Sequence, residues 1–194
     1  MTRKLLLLIL IICITSCKDE NKIAELGKPV PNYEFSNILN SEQSQISLDE
    51  LKGKPIILEF WATWCGPCIP AMKKLDSLQN QFGDEIEIIT VSAENQQRLE
   101  KFIKSSQTSL RVVSDTTHTK NFKYKVIPHS VIIDKNGVVR AITSPENINK
   151  EVVENLIANN KIDLELKDDD VVPTTSIPNL YFNVPEESII ELKV

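Results

Sequence analysis

Apolar residues gather into two runs near the middle of the chain, Ile56-Ile57-Leu58-Glu59-Phe60-Trp61 and Ile86 to Val91, neither with the alternation of a half-exposed strand. Such runs predict strands covered on both faces, and hence a sheet with helices on both sides. Between them Met72, Leu75, Leu78 and Phe82 recur at helical spacing, and Gly83 stops that helix. Leu99, Phe102 and Ile103 mark one face of a second helix. Alternating strands and helices predict parallel βαβ connections and an α/β fold with a central sheet.

The flanking segments carry weaker patterns. Gly27-Lys28-Pro29-Val30-Pro31 is a breaker, Tyr33-Glu34-Phe35-Ser36 alternates as a short edge strand would, and Ile46 and Leu48 to Leu51 lead to a second breaker, Gly53-Lys54-Pro55. Val112-Val113 predicts a short extended element. Ser130 to Ile133, the turn Asp134-Lys135-Asn136-Gly137 and Val138 to Ile142 read as an antiparallel hairpin. Ile148, Val152, Val153, Leu156 and Ile157 form the apolar face of a closing helix, with Ser144-Pro145 as its cap and first-turn pair. These elements place one domain over residues 27–162. An acidic linker and tail, 163–194, follows, punctuated by Pro173, Pro178 and Pro185 and carrying Leu180-Tyr181-Phe182 and Ile189-Ile190. Its apolar tip has three readings: docking on the domain, pairing with a partner, or opening a further domain.

The N-terminus changes the cysteine count. Arg3 and Lys4, the apolar run Leu5 to Ile14 and small Thr15-Ser16 read as a signal peptide over residues 1–16. Ile14-Thr15-Ser16-Cys17 resembles a bacterial lipobox, which implies lipidation of Cys17 and membrane attachment; an ordinary signal or an uncleaved anchor is the alternative. Residues 17–26 then read as a tether, whose Lys18-Asp19-Glu20 start is similar to the surface-export tag of some lipoproteins. Cleavage removes Arg3, Lys4 and Cys13. Of 22 basic and 27 acidic side chains, 20 and 27 remain, a net charge of −7 that recommends no nucleic-acid partner.

With Cys17 lipidated, Cys65 and Cys68 are the free thiols, in Trp64-Cys65-Gly66-Pro67-Cys68 directly after the first buried run. That position sets the first cysteine at a helix N-terminus, where unpaired N–H groups and the helix dipole favour a thiolate. Cys65 is therefore the expected nucleophile. Cys68, one turn further in, is placed to close a disulfide onto it and expel a bound substrate. A structural zinc site requires a second ligand pair, and the mature chain offers only the isolated His118 and His129. A purely structural disulfide is the other reading of the pair.

Glu59 to Cys68 (Glu-Phe-Trp-Ala-Thr-Trp-Cys-Gly-Pro-Cys), Ile127-Pro128 and the terminal hairpin together resemble a thioredoxin fold. The leading segment 27–54 and the lipoprotein signal are similar to the membrane-anchored TlpA and ResA type of the redoxin superfamily. The resemblance implies a thioredoxin-like mixed sheet and a substrate-facing surface made by Trp64, Gly66, Pro67, Ile127 and Pro128. It also implies a cis Ile127-Pro128 bond, with Ile127 pairing to a substrate strand. Glu59 aligns with the family's buried acid, whose raised pKa lets it relay the proton of Cys68. Thr90 stands where cytosolic thioredoxins carry a lysine partner, and Ala71 replaces a common glutamate. Pro70 is compatible only with a helix start. His129 is placed to touch substrate or tune Cys65, or else faces solvent; His118 is expected at the surface.

The activity this implies is thiol-disulfide exchange by an enzyme of the bacterial envelope, lipid-anchored and facing the periplasm or the outer surface. It uses no cofactor beyond the Cys65–Cys68 pair, reduces protein disulfides, and draws electrons from a membrane thiol reductant. A peroxide-reducing redoxin, a copper chaperone and a binding module recruited through the tail are the rival readings.

Overall fold

The structure, a computed structural model, describes residues 23–167 and residue 169. The predicted signal, Cys17, the first part of the tether and the apolar tip of the tail lie outside the described residues. Chain order is β1 (Glu34–Ser36), β2 (Ile38–Leu39), β3 (Gln45–Ser47), β4 (Ile56–Phe60), α1 (Cys68–Phe82), β5 (Glu87–Ser92), α2 (Gln96–Ser106), β6 (Arg111–Ser114), β7 (His129–Ile133), β8 (Val139–Thr143) and α3 (Lys150–Ile157). Short 3-10 turns lie at Gly83–Glu85, His118–Lys120 and Pro145–Asn147.

Six strands form the central sheet in the order β2-β6-β5-β4-β7-β8. The β4–β5 and β5–β6 pairs are parallel; β2–β6, β4–β7 and β7–β8 are antiparallel. The thioredoxin-like α/β fold with a mixed sheet is therefore what the chain adopts. Every residue of β4 and β5 is buried, which explains the missing alternation in both runs.

One expectation about the layers is corrected. From β4 to β5 to β6 the chain steps in a single direction across the sheet, so two right-handed crossovers set α1 and α2 on the same face. α3 joins them: Met72, Leu75, Leu99, Val152, Val153 and Leu156 share one cluster with Ile57, Ile88 and Ile132. The opposite face, carrying Leu58, Phe60, Val91 and Val131, has no α-helix among the described residues. Phe35, Ile46, Leu48, Leu51 and Phe122 cover it instead. Phe35 and Ile46 belong to the small antiparallel ribbon of β1 and β3.

The local details follow from side-chain chemistry. Asp134 turns the β7–β8 hairpin by accepting the N–H groups of Asn136 and Val138 at 2.9 Å, and Gly137 adopts φ 79°. The closing helix begins later than Ser144-Pro145 suggests. Those residues open a separate 3-10 turn, while Asn149 caps α3 by accepting Val152 N–H at 3.0 Å. Glu87, a charge inside the run Ile86 to Val91, is buried between Lys54 and Arg111, each at 2.8 Å. The acidic segment after Ile162 stays on the fold: Lys167 N–H donates to the Ile142 carbonyl at 2.9 Å and Thr143 Oγ1 to that of Glu165 at 2.6 Å.

Candidate active site

Strand β4 ends at Phe60, and the chain turns through Trp61 to Pro67 before α1 starts at Cys68. Cys65 N–H donates to Ala62 and Cys68 N–H to Cys65, a tight turn that brings the two Cα atoms to 5.3 Å and joins the pair in a disulfide. Pro67 caps α1 without a side-chain acceptor, and no acidic residue stands in the first turn. The positive end of α1 is thus left without a competing carboxylate, which favours a thiolate just upstream at Cys65. Pro70 falls in the first turn, where its missing N–H is not needed. Cys65 is 4 % exposed and Cys68 fully buried, so an incoming sulfur meets Cys65 first.

Around the pair the surface is largely apolar. Trp64 is 70 % exposed, and Gly66 and Pro67 are also exposed. A groove of about 300 Å³ opens beside them, lined by Trp61, Trp64, Tyr124 and Ile127 together with the charged Glu94 and Lys125. The Ile127–Pro128 bond is cis, and Ile127 makes no backbone hydrogen bond among the described residues. An extended peptide laid along this edge finds both its N–H and its C=O unpaired.

Glu59 lies in the middle of β4, opposite Thr90 of β5 and Ser130 of β7, fully buried. It shares a sheet face with Ile57 and Trp61, the face on which Cys68 packs. Ser130 Oγ donates to Oε2, while Oε1 has no hydrogen-bond partner among the described residues. Burial raises its pKa from 4.5 to about 8, opposed by the Ser130 hydrogen bond and the Lys167 charge. At neutral pH it is mostly a carboxylic acid, with a minor ionised fraction. Thr90, in the place of a lysine partner, sends its hydroxyl to the Arg111 carbonyl instead.

Both histidines are buried, which corrects the surface expectation for His118 and excludes a solvent-facing His129. His118 stacks on Phe60 at 5.1 Å, with Nδ1 2.6 Å from the Asp115 carbonyl and Nε2 2.6 Å from the Tyr124 hydroxyl. Both ring nitrogens are satisfied, so burial of the neutral ring is tolerated, and desolvation holds its pKa below the ordinary value. The same contact fixes Tyr124 at the groove. His129 lies against Tyr124, at 5.1 Å between ring centres. Burial, then the Lys167 charge, pushes its pKa down to about 4, with Asp169 opposing.

Two further groups hold the site, and sequence reasoning missed both. Glu94, just after β5, accepts Thr63 N–H at 2.6 Å and Thr63 Oγ1 at 2.7 Å and pairs with Arg98 at 2.8 Å. It ties the turn before Cys65 to the start of α2. Lys167, inside the acidic run, donates to the carbonyls of Val126 and, at 2.9 Å, Pro128, and pairs with Asp169 at 3.0 Å. The alternation Ile162-Asp163-Leu164-Glu165-Leu166 is the one sequence signal that this segment lies against the fold, where Ile162 and Leu164 pack on the core. Glu94→Ala is expected to cost about 1–3 kcal/mol of stability, because Thr63 N–H loses a charged acceptor in a part-buried turn. Chemical denaturation of the oxidised protein measures it, and a change under about 0.5 kcal/mol would show that the clamp holds nothing.

Comparison with known proteins agrees with this geometry. Residues 26–142 match the AhpC/TSA family. The thiol-disulfide oxidoreductase ResA of Oceanobacillus iheyensis is 30 % identical over 134 residues, covering 66 % of this chain and 70 % of that protein. The thioredoxin-like protein YneN of Bacillus subtilis is 30 % identical over 147 residues, covering 73 % and 84 %. A crystal structure of a putative thiol:disulfide interchange protein DsbE from Chlorobium tepidum superposes with a TM-score of 0.56 at 22 % identity, over 62 % of this chain and 86 % of that one. That likeness speaks for the fold, while the family match and the ResA relationship speak for descent: the chain belongs to the AhpC/TSA family and is a thiol-disulfide oxidoreductase of the ResA type.

Proposed function

We propose that this enzyme reduces disulfides of exported proteins while held at the bacterial envelope by a lipid on Cys17. The observation that carries the reading is the Cys65–Cys68 pair beside an exposed Trp64 and an Ile127 backbone that makes no hydrogen bond among the described residues. In the reduced enzyme the Cys65 thiolate attacks one sulfur of a substrate disulfide. The substrate S–S bond breaks, a Cys65–substrate bond forms and one substrate thiolate leaves. Cys68 then gives up its proton and attacks the Cys65 sulfur, closing the Cys65–Cys68 bond and releasing the second substrate thiolate. Two electrons pass from enzyme to substrate. Glu59, with a pKa of about 8 close to an ordinary thiol's ~8.5, holds its own proton in most molecules at neutral pH; its ionised fraction is suited to take the Cys68 proton and return it at little cost.

The oxidised pair is then reduced again by a membrane thiol reductant. The Gly-Pro dipeptide and the resemblance to anchored reductants support this direction; an oxidising compartment opposes it. Equilibration with a glutathione redox buffer decides, since ~30 mV corresponds to about 1.4 kcal/mol for a two-electron couple. A potential among strong disulfide donors, together with an oxidised pair in growing cells, would make the protein an oxidant. The AhpC/TSA match keeps a hydroperoxide in view as a second acceptor, and turnover on hydrogen peroxide against turnover on a protein disulfide separates the two.

Anchoring has its own test. Among the described residues no helix is long and apolar enough to cross a membrane, and the lipobox-like Ile14-Thr15-Ser16-Cys17 supports attachment through a lipid. Cys17→Ala is expected to block processing or to release the protein from the membrane fraction. A variant that is processed normally and still sediments with membranes would remove lipidation from the account.

A further inference from the structure

Two backbone carbonyls flank the Ile127–Pro128 dipeptide, those of Val126 and Pro128, and both point at one ammonium group. That group belongs to Lys167, about forty residues further along the chain and outside the βαβ frame. Its segment runs from α3 along β8, fixed there by Lys167 N–H on the Ile142 carbonyl and by Thr143 Oγ1 on that of Glu165. Two residues on, Asp169 Oδ2 accepts the N–H of Lys125 at 2.7 Å while Oδ1 pairs with Lys167 at 3.0 Å. One lysine and one aspartate thus hold the loop 125–128 at both ends.

The geometry points to Lys167 as a positioning residue for substrate docking: it holds Val126 and Pro128 so that the free backbone groups of Ile127 face an incoming peptide. The inference rests on the protein-disulfide reading above and adds to it the element that shapes the docking edge. Of the ammonium's three protons the Val126 and Pro128 carbonyls accept two, His129 Nδ1 lies at 3.4 Å, and Asp169 Oδ1 adds an opposite charge at 3.0 Å. The side chain is 12 % exposed, so these bonds are partly shielded from water, where charge-assisted bonds are strongest. Without it the two carbonyls need other partners, and the loop that carries Ile127 loses its fixed path. A thiol–disulfide reaction with a small molecule makes no use of that edge. A protein substrate, which must lie along it, does.

Lys167→Met separates these cases in the full-length protein with two acceptors compared: insulin, with dithiothreitol supplying electrons, and the small aromatic disulfide dithiobis-nitrobenzoate, which oxidises the pre-reduced enzyme in a single turnover after the dithiothreitol, with which it reacts directly, has been removed. We expect kcat/KM on insulin to fall about tenfold, mostly through KM, while the rate on the small disulfide stays within about twofold. Lys167→Arg, whose guanidinium has donors for both carbonyls, should recover most of the loss. If Lys167→Met does not fold, Asp169→Asn carries the same test, because it leaves the lysine in place and removes its anchoring charge. Unchanged KM on insulin overturns the inference; so does an equal fall on both acceptors, which would assign Lys167 to stability or to its charge on Glu59 instead of to docking. Wild-type turnover on insulin reports separately on the protein-disulfide reading, and its absence would defeat that reading whatever the variants do.

Discussion

Cys68→Ser is expected to leave the enzyme able to attack but unable to release, so that its substrate accumulates as a mixed disulfide on Cys65. Cys65 is the more exposed thiol, lies upstream of an α1 terminus free of competing acids, and has Trp64 and the groove beside it. Cys68 is fully buried and opens α1, so it meets the Cys65 sulfur rather than a substrate. Removing the resolving thiol stops the second exchange and not the first. Turnover should drop at least about a thousandfold for Cys68→Ser and for Cys65→Ser alike, but only the former should carry adducts. Mass spectrometry of the trapped species names the substrate. Adducts on the Cys65→Ser protein instead would reverse the two roles, and alkylation rates against pH give an independent check, because the attacking thiol titrates below ~8.5.

Glu59→Gln should separate two consequences of one buried carboxyl. Its pKa stands at about 8 in the folded protein against an ordinary 4.5. Between those values the folded chain keeps a proton that the unfolded chain has released. Stability therefore falls as pH rises through the window, by up to ~1.4 kcal/mol per pH unit, and levels off above the folded value. Glutamine carries no such proton. Relative to wild type the variant should gain several kcal/mol between about pH 5 and about pH 8, visible as diverging denaturation midpoints of the oxidised proteins. Parallel curves would mean that Glu59 titrates normally. Catalytically the amide cannot take the Cys68 proton, so release of the mixed disulfide should slow by about a hundredfold while its formation is little changed. A substitution that slowed both steps equally would assign Glu59 to packing alone.

Much of this protein is legible along the chain because its signals are local. The unbroken runs at Ile56 and Ile86 mark covered strands, Met72 to Phe82 repeats at helical spacing, and Asp134 to Gly137 spells a turn; each depends on residues a few positions apart. Trp64-Cys65-Gly66-Pro67-Cys68 announces its chemistry for the same reason, since both thiols and the helix start lie within one turn. Readings tied to distant partners fared otherwise. His118 looks like a surface residue until Phe60, Asp115 and Tyr124 close around it, and Glu87 looks misplaced in a strand until Lys54 and Arg111 reach it. The sequence shows alternating strands and helices but not that β4, β5 and β6 step in one direction, and that direction decides which face the helices cover. Lys167, in an acidic stretch after the last helix, gives no sign of its target. Only the path along β8 brings its ammonium to the Pro128 carbonyl, because a charge finds its partner through space and not through chain position.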